Sequence, residues 1–271
     1  MTALVAGTVE VAGSDVVSWP AAVASLSLVA LTVVLAALLG LGVGREIVIA
    51  SVRAAIPLLA VGLLFTVLFE STGARWWAFA WIVVMIGVAT VVVVRRAKHH
   101  VTGLLPTTLG TVLGSTIVSL TVVFGFGVLD DEPVALVVIA GITIGNAVPS
   151  AVLAVNQSVG VSRDGVGEIE AVLAMGFNRR QVMQFMAPRA ARTALIPQIE
   201  RTKVVGLIAL PGAMTGLLLA GVDPIDAVVI QLLVMYLVLG TATLCVVAIT
   251  AVVTYNSVDD GLSVEGWVRV R

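Results

Sequence analysis

Charged residues are scarce in this chain, and their scarcity excludes most soluble folds. Only 11% of the 271 residues are Asp, Glu, Lys or Arg, while 59% are hydrophobic. Soluble domains carry roughly 25% charged residues. Aromatic residues are also few, at 5%, whereas the chain contains 26 glycines. This composition predicts closely packed transmembrane helices, because small residues let helix backbones approach one another in lipid.

Catalytic and nucleotide-binding motifs are missing as well. The sequence contains no GxxxxGK[ST] phosphate loop, no serine nucleophile elbow and no His, Cys and carboxylate spacing that suits catalytic zinc. Cys245 is the only cysteine, so no disulfide can form within one chain. We therefore expect a protein that is not an enzyme, with no catalytic residue, no bound cofactor, no nucleic-acid partner and no assignable metal site.

Seven apolar segments approach or exceed the roughly 20 residues that a transmembrane helix needs. They cover residues of about 20–43, 54–69, 76–94, 103–128, 133–156, 203–221 and 225–253. The second follows REIVIASVRAA, which we interpret as an interfacial helix. Ionisable residues are essentially missing from the middle of these spans, which disfavours proton-coupled carriers. The pattern predicts one all-α, polytopic membrane domain over residues 1–271.

The charged residues also predict an orientation. If the N-terminus is outside and the C-terminus is cytoplasmic, all but one of the 15 Lys and Arg residues fall in inner loops or in the C-terminal tail. The exception is Arg75, and the outer loops instead collect Asp and Glu. Cytoplasmic loops are enriched in Lys and Arg, so this distribution favours seven spans in that orientation.

A polar insert interrupts the apolar pattern over residues of about 162–200. Apolar residues on one helical face predict a short helix over 166–175, and Gly176 suits its C-terminal end because Gly tolerates the left-handed conformation. Asn178 is followed three residues later by a Gln, which is the pattern of a capping box. This cap predicts a second helix that runs toward Pro188. The insert is therefore predicted to be a cytoplasmic helix-turn-helix.

Three interpretations of the insert compete. A solvated loop would only place positive charge on the inner side, and a DNA-reading helix-turn-helix is disfavoured between two membrane spans. A docking element would present a short rigid helix to a groove on a cytoplasmic partner. We favour docking, because a loop that only set the topology would need neither a cap nor a glycine stop.

The same segment resembles a known element. EAVLAMG (170–176) resembles the EAA loop of ABC-transporter permeases. In that family the loop is the coupling helix that the ATPase subunit binds. Three further segments resemble the FetB-type permease family and occur in the same order as in that family. They are SVRAAIPLLAVG (51–62), GITIGNAVPSAVLAVNQ (141–157) and ALIPQIERTKVVGLIALPGAMTGLLLAGVDP (194–224). These matches span residues of about 45–255, and the chain is identified as a member of that family.

The resemblance implies the permease subunit of an ABC exporter in the plasma (inner) membrane. A separate ATPase subunit would bind ATP and Mg, and we expect a homodimer of the permease. Bacterial members are linked to iron export and plant relatives to aluminium tolerance, so the implied substrate is iron or another metal. The residues expected to couple to the ATPase are Glu168, Glu170, Ala171, Gly176, Asn178 and Arg179.

Other functions remain open at this stage. A non-transporting scaffold or receptor could use the inner helix to bind a signalling partner, and a stand-alone carrier would need no ATPase. An ABC exporter could instead carry a metal chelate or a lipid-like molecule. Neither composition nor spacing distinguishes these substrates.

A break in the sixth predicted span indicates a substrate path. Irregular backbone at membrane depth is tolerated only where protein buries it or where it faces a water-filled cavity. We therefore predict a hinge or a path wall at Pro211 and Gly212. Membrane-buried amides serve equally as links between helices and as substrate contacts. The candidate path residues are Asn146, Pro211, Gly212, Met214, Thr215 and Gln231.

Two basic residues precede this span. Arg201 and Lys203 are expected at its inner end, where long basic side chains extend toward the headgroups as anchors. A second interpretation is that they relay movement from the insert into the helix that carries Pro211.

Overall fold

The chain folds almost entirely into helices. The computed structural model describes residues 19–69, 73–97, 101, 103–127, 129, 131–206 and 210–269. The helices in these ranges are α1 (Trp19–Leu38), α2 (Gly44–Phe69), α3 (Ala74–Arg96), α4 (Leu104–Gly125), α5 (Pro133–Asp164), α6 (Val166–Ala174), α7 (Arg179–Val204), α8 (Gly212–Leu219), α9 (Pro224–Tyr255) and α10 (Gly266–Arg269). The predicted all-α class is confirmed.

The first of two compact units contains α1 and α2. After α1 the chain turns through Gly40, which has φ +62° and whose amide donates to the Ala37 carbonyl at 3.1 Å. A residue with a Cβ would be strained in this left-handed conformation, so glycine suits the turn. α2 then runs without interruption for 26 residues. The interfacial helix predicted over 45–55 is therefore not separate from the second span, because both belong to α2.

The second unit contains the four helices of the described chain that are long and apolar enough to cross a membrane. They are α3, α4, α5 and α9. These helices match the predicted spans 76–94, 103–128, 133–156 and 225–253. α5 and α9 each have 32 residues, or about 48 Å at 1.5 Å per residue. Both are longer than the roughly 30 Å hydrocarbon core, so each extends beyond it.

Two tightly packed cores show the relative directions of these helices. Near the middle of α5, one core joins it to α3 and α4 through Ile82, Val112 and Ile144. Further along, Ala151, Ala154, Val155 and Val159 of α5 pack with Val246, Ile249 and Val253 of α9 and with Ala194 of α7. Residues from the first half of α5 and from the first half of α9 also line one cavity. α5 and α9 are therefore parallel, and the chain between them must return.

The return does not follow the predicted sixth span. The span predicted over 203–221, with its break at Pro211 and Gly212, does not contain a helix long enough to cross a membrane, because α7 ends at Val204 and α8 begins at Gly212 with only eight residues. The second insert helix was likewise expected to end near Pro188, yet α7 continues through two prolines for 26 residues, about 39 Å. Its buried face follows helical spacing, with Val182, Met186, Ala190 and Ala194. Packing of this face outweighs the local cost of proline in a helix.

An ion pair allows a test of the topology. Arg75, at the start of α3, pairs with Asp131, just before α5, so these two helix ends lie on one side. The tail after α9 lies at the other end of α5, where Arg163 donates to the Trp267 carbonyl at 2.9 Å. We predict that cysteines at Glu132 and Leu262, introduced on a Cys245→Ala background, will be labelled from opposite sides of the membrane.

The labelling sites suit an impermeant maleimide because both residues are exposed, whereas Cys245 and Ser257 are fully buried. In intact cells only the Glu132→Cys variant should react, and Leu262→Cys should react after permeabilisation. Equal labelling of both variants in intact cells would contradict this arrangement of α3, α5 and α9.

Candidate functional site

The turn between α6 and α7 has the predicted caps. Gly176 has φ +86°, and its amide donates to the Leu173 carbonyl at 2.9 Å, while Phe177 donates to Val172 at 3.3 Å. This pair of hydrogen bonds satisfies the last carbonyls of α6. The Asn178 side chain accepts from the Gln181 amide at 3.1 Å, and the Gln181 side chain accepts from the Asn178 amide at 2.8 Å. The glycine stop and the capping box are confirmed.

Apolar side chains are exposed at this turn. Met175 is 67% exposed and Phe177 is 38% exposed, and both flank Gly176. Ala171 is exposed on the same short helix. Large apolar side chains that cluster on a surface mark sites where another molecule binds. We call residues 175–177 the apolar tip.

The C-terminal segment packs beneath the α6–α7 turn, which the sequence analysis did not predict. Ile169 of α6 and Met186 of α7 are fully buried in one cluster with Val258, Val264 and Val268 of the tail. An antiparallel bridge between Val258 and Val264 shapes the tail into a short loop. This loop and α10 thus form a core with the two helices of the insert.

Polar contacts link the tail to predicted coupling residues. The Arg269 guanidinium pairs with Glu170 at 3.2 Å, and Arg179 pairs with Asp260. The Arg179 guanidinium also lies over the Tyr255 ring, 4.2 Å from its centroid. Exposed ion pairs contribute at most about 1 kcal/mol each. They therefore orient the tail, and the buried valines provide most of its stabilisation.

Two further contacts stiffen the same end of the molecule. Glu168 accepts a hydrogen bond from Arg189 at 2.7 Å, which links α6 to α7. In the tail loop, the backbone amide and the hydroxyl of Ser263 donate to Asp259 at 2.7 and 2.8 Å. These hydrogen bonds hold the pKa of Asp259 below its ordinary value. The acidic coupling candidates Glu168 and Glu170 are thus paired within the chain.

A second candidate site is a cavity of about 180 Å³ between α5, α7 and α9. Three predicted path residues, Asn146, Pro211 and Gln231, line it together. The other polar side chains in its wall all come from the C-terminal end of α7: Gln198, Arg201 and Thr202. The cavity therefore lies at the C-terminal end of α7, with Pro211, the residue before α8, also in its wall.

Hydrogen bonds orient the polar wall of this cavity. Asn146 Nδ2 donates to the Ile142 carbonyl at 2.7 Å, which turns Asn146 Oδ1 toward Arg201. Arg201 Nη1 donates to that oxygen at 3.2 Å. Gln231 is buried, and its Oε1 has no hydrogen-bond partner among the described residues. An unpaired buried acceptor costs roughly 1–3 kcal/mol, so a side-chain rotation that turns this oxygen toward a bound donor would be favourable.

The position of Arg201 corrects two predictions. Asn146 is 13 residues from the start of α5, about 20 Å along the helix. Arg201 contacts it there, so Arg201 lies beside the middle of the predicted span 133–156 and not at the inner end of a sixth span. The apolar spans alone suggested a membrane core without ionisable groups. α7 brings one in, because its 26 residues run antiparallel to α5.

The other predicted path residues have different surroundings. Gly212, Met214 and Thr215 belong to α8 and are absent from the cavity wall, where Ala213 takes part instead. The Thr215 hydroxyl donates to the Pro211 carbonyl at 3.1 Å. Within the described residues, no group of three or more His, Cys, Asp or Glu side chains is placed to hold a metal ion.

A sequence pattern could have revealed the α7 part of the cavity. Gln198, Arg201 and Thr202 have the spacing i, i+3 and i+4, which places them on one face of a helix. The pattern was missed because the second helix of the insert was expected to end near Pro188. For the tail, Val258, Val264 and Val268 alternate with polar residues but give no local indication of what they pack against.

Comparisons with known proteins agree on one family. A family model described as "Uncharacterised protein family (UPF0014)" matches residues 19–258. The UPF0014 membrane protein STAR2 of Oryza sativa subsp. japonica is 32% identical over 229 residues, which are 82% of this chain and 77% of STAR2. The UPF0014 membrane protein YjkA of Bacillus subtilis is 31% identical over 240 residues, covering 86% of this chain and 94% of YjkA.

A third relative has a functional name. The "Probable iron export permease protein FetB" of Escherichia coli is 30% identical over 162 residues, which are 60% of this chain and 62% of FetB. No solved structure matches the chain.

Proposed function

Since the chain belongs to the UPF0014 membrane protein family, we propose that it is the membrane-spanning subunit of an ABC exporter. A separate ATPase subunit would bind ATP and Mg and hydrolyse the ATP, and the permease would assemble as a homodimer in the plasma membrane. The cargo would be iron or another metal. The name of the FetB relative supports this cargo, and the similarity of EAVLAMG to the EAA loop supports the partner.

One observation supports the proposal most strongly: α7 joins the two candidate sites. It begins at the capped turn beside the apolar tip and ends beside Arg201 in the cavity. A packed helix is stiff, so a displacement at its first turn is transmitted along its length. We propose that the ATPase binds the apolar tip and that nucleotide-driven movement of α7 changes the cavity.

The proposal assigns roles to the residues at each end. Met175 and Phe177 would insert into a groove on the ATPase, as apolar anchors of docked helices do. Glu168 and Glu170 would hold the shape of the docking surface, because each pairs with an arginine of this chain. The N-terminus would be outside and the α6–α7 turn cytoplasmic, as the distribution of basic residues predicts.

A glycine substitution tests the docking surface. Gly176→Val places a β-branched side chain at φ +86°, which is a strained conformation for such a residue. We expect this variant to reorient the apolar tip and to lose most of its co-purification with the ATPase, while insertion into the membrane is unchanged. Affinity purification of the tagged permease, followed by quantification of the ATPase subunit, measures the effect.

The matched control is Gly167→Ala in α6, the short helix that precedes the turn. Gly167 is helical, and no atom lies within 4 Å of the position its Cβ would take. This variant should bind the ATPase normally. If Gly176→Val also retained full binding and transport, the apolar tip would not be the docking surface.

A further inference from the structure

We infer that the cavity between α5, α7 and α9 binds a small oxyanion that also carries a hydroxyl group. A metal would then cross as the complex of such an anion and not as a bare cation. The inference rests on the proposed transport function and specifies the class of substrate. Carboxylates and phosphates share the required chemistry.

The positive charge in the wall is the first reason. Within the described residues, the one hydrogen bond of Arg201 is to Asn146, through Nη1. A guanidinium has five N–H donors in a planar fork that matches two oxygens of a carboxylate or phosphate. The nearby acid on α7, Glu200, pairs with Lys203 at 2.8 Å. Arg201 therefore keeps donors for an anion, and its charge repels a bare metal cation.

The buried amide is an independent reason. Gln231 lines the same cavity, and its buried Oε1 has no hydrogen-bond partner among the described residues. A rotation of the side chain turns Oε1 into the cavity, where it can accept from a hydroxyl of the ligand. If the NH2 group of the amide faces the cavity, it donates to an oxyanion. Either orientation complements a hydroxyl-bearing anion.

Preorganisation is the third reason. Asn146 donates from Nδ2 to the Ile142 carbonyl, so its oxygen is fixed and holds the Arg201 side chain in place. A fixed guanidinium loses little conformational freedom when a ligand binds. An arginine beside the middle of a predicted span also needs a counter-charge, and residues of this kind mark substrate paths. At about 180 Å³ the cavity suits a small solute and not a lipid.

The test measures binding to the full-length chain in lipid nanodiscs by isothermal titration calorimetry. The probes are citrate, ferric citrate, inorganic phosphate and iron(II) alone. We expect at least one oxyanion to bind and iron(II) alone not to bind. The phosphate and citrate arms distinguish the two sources of the anion, and ferric citrate tests whether the metal complex fits.

Variants assign the binding to the cavity. Arg201→Gln should weaken oxyanion binding at least tenfold, and Gln231→Leu should weaken it several-fold. Arg201→Lys keeps the charge but loses the fork, so its affinity should lie between those of the wild type and Arg201→Gln. The control is Arg192→Gln, an exposed arginine of α7 that does not line the cavity, and it should bind like the wild type.

The inference is overturned if no oxyanion binds, or if iron(II) alone binds and Arg201→Gln leaves its affinity unchanged or improves it. Equal oxyanion affinities in Arg201→Gln, Arg201→Lys and wild type would also overturn it. Failure of the proposed function would appear elsewhere, as a permease that neither co-purifies with an ATPase nor supports ATP-driven transport. The two failures are therefore distinguishable.

Discussion

Deleting residues 257–271 is expected to unfold the α6–α7 turn while the spans remain inserted. The deletion removes Val258, Val264 and Val268, which are at most 5% exposed. Burial of a valine stabilises by about 1.5–3 kcal/mol, so the three together contribute on the order of 5 kcal/mol. This value is an upper estimate, because an unfolded tail already buries some apolar surface. Without the tail, Ile169 and Met186 would face solvent.

Limited trypsin digestion measures this effect without relying on the ATPase. Arg180, in the first turn of α7, is exposed, but the packed helix resists cleavage. In the deletion variant this turn should open locally and be cut much faster, because proteolysis follows the population of the open state. Co-purification with the ATPase should be lost in parallel, if the apolar tip is the docking surface.

A pair of point variants separates loss of packing from loss of the tail. Val258→Asp introduces a charge at a fully buried position, whereas Leu262→Asp introduces the same charge in the same loop at a residue that is 51% exposed. A buried unpaired carboxylate is strongly destabilising, and an exposed one is not. Only Val258→Asp should therefore reproduce the deletion. Unchanged digestion of both the deletion and Val258→Asp would show that the tail does not support the turn.

The parts of this structure that the sequence predicted depend on neighbouring residues. Gly176 and Asn178 lie within a few residues of the groups they cap, so the composition of one short segment is enough to place the end of α6 and the start of α7. The four long apolar helices were also predictable, because the length and hydropathy of one segment determine whether it can span a membrane.

The parts that were missed depend on contacts between distant segments. Local rules end a helix near Pro188, but burial of Met186 and Ala194 against other elements keeps α7 helical to Val204. That extra length moves Arg201 from an expected interfacial position to the middle of α5. Likewise, the partners of the tail valines are residues such as Ile169, and no short segment contains both.

The candidate sites show the same division. Asn146, Pro211 and Gln231 were proposed separately, because buried amides and a broken helix are recognisable one at a time. Their convergence in one cavity, and the arginine beside Asn146, follow from the parallel packing of α5 and α9 with α7 packed against both. The sequence therefore indicates residue types that suit a substrate path, whereas the positive charge of the cavity wall depends on how distant helices pack.

The second large effect is expected at Gly206, two residues after the end of α7. Gly206 has φ +86°, whereas Gly212 lies inside α8 without a positive φ. We therefore propose Gly206 as a second candidate hinge beside the one predicted at Pro211 and Gly212. We expect the backbone at Gly206 to bend when α7 moves, because the preceding residue, Val205, lines the cavity.

Gly206→Val should lower transport about tenfold and leave ATPase co-purification unchanged. A left-handed conformation costs an L-residue roughly 1–2 kcal/mol, which corresponds to about a tenfold shift between conformational states. Docking should survive, because the apolar tip lies at the other end of α7.

Gly212→Ala is the matched control: no atom lies within 4 Å of its added Cβ, so it should transport normally. Transport and ATP hydrolysis are measured together in proteoliposomes. Loss of transport in Gly212→Ala but not in Gly206→Val would assign the hinge to Pro211 and Gly212 alone. Normal transport in both variants would show that neither glycine acts as a hinge.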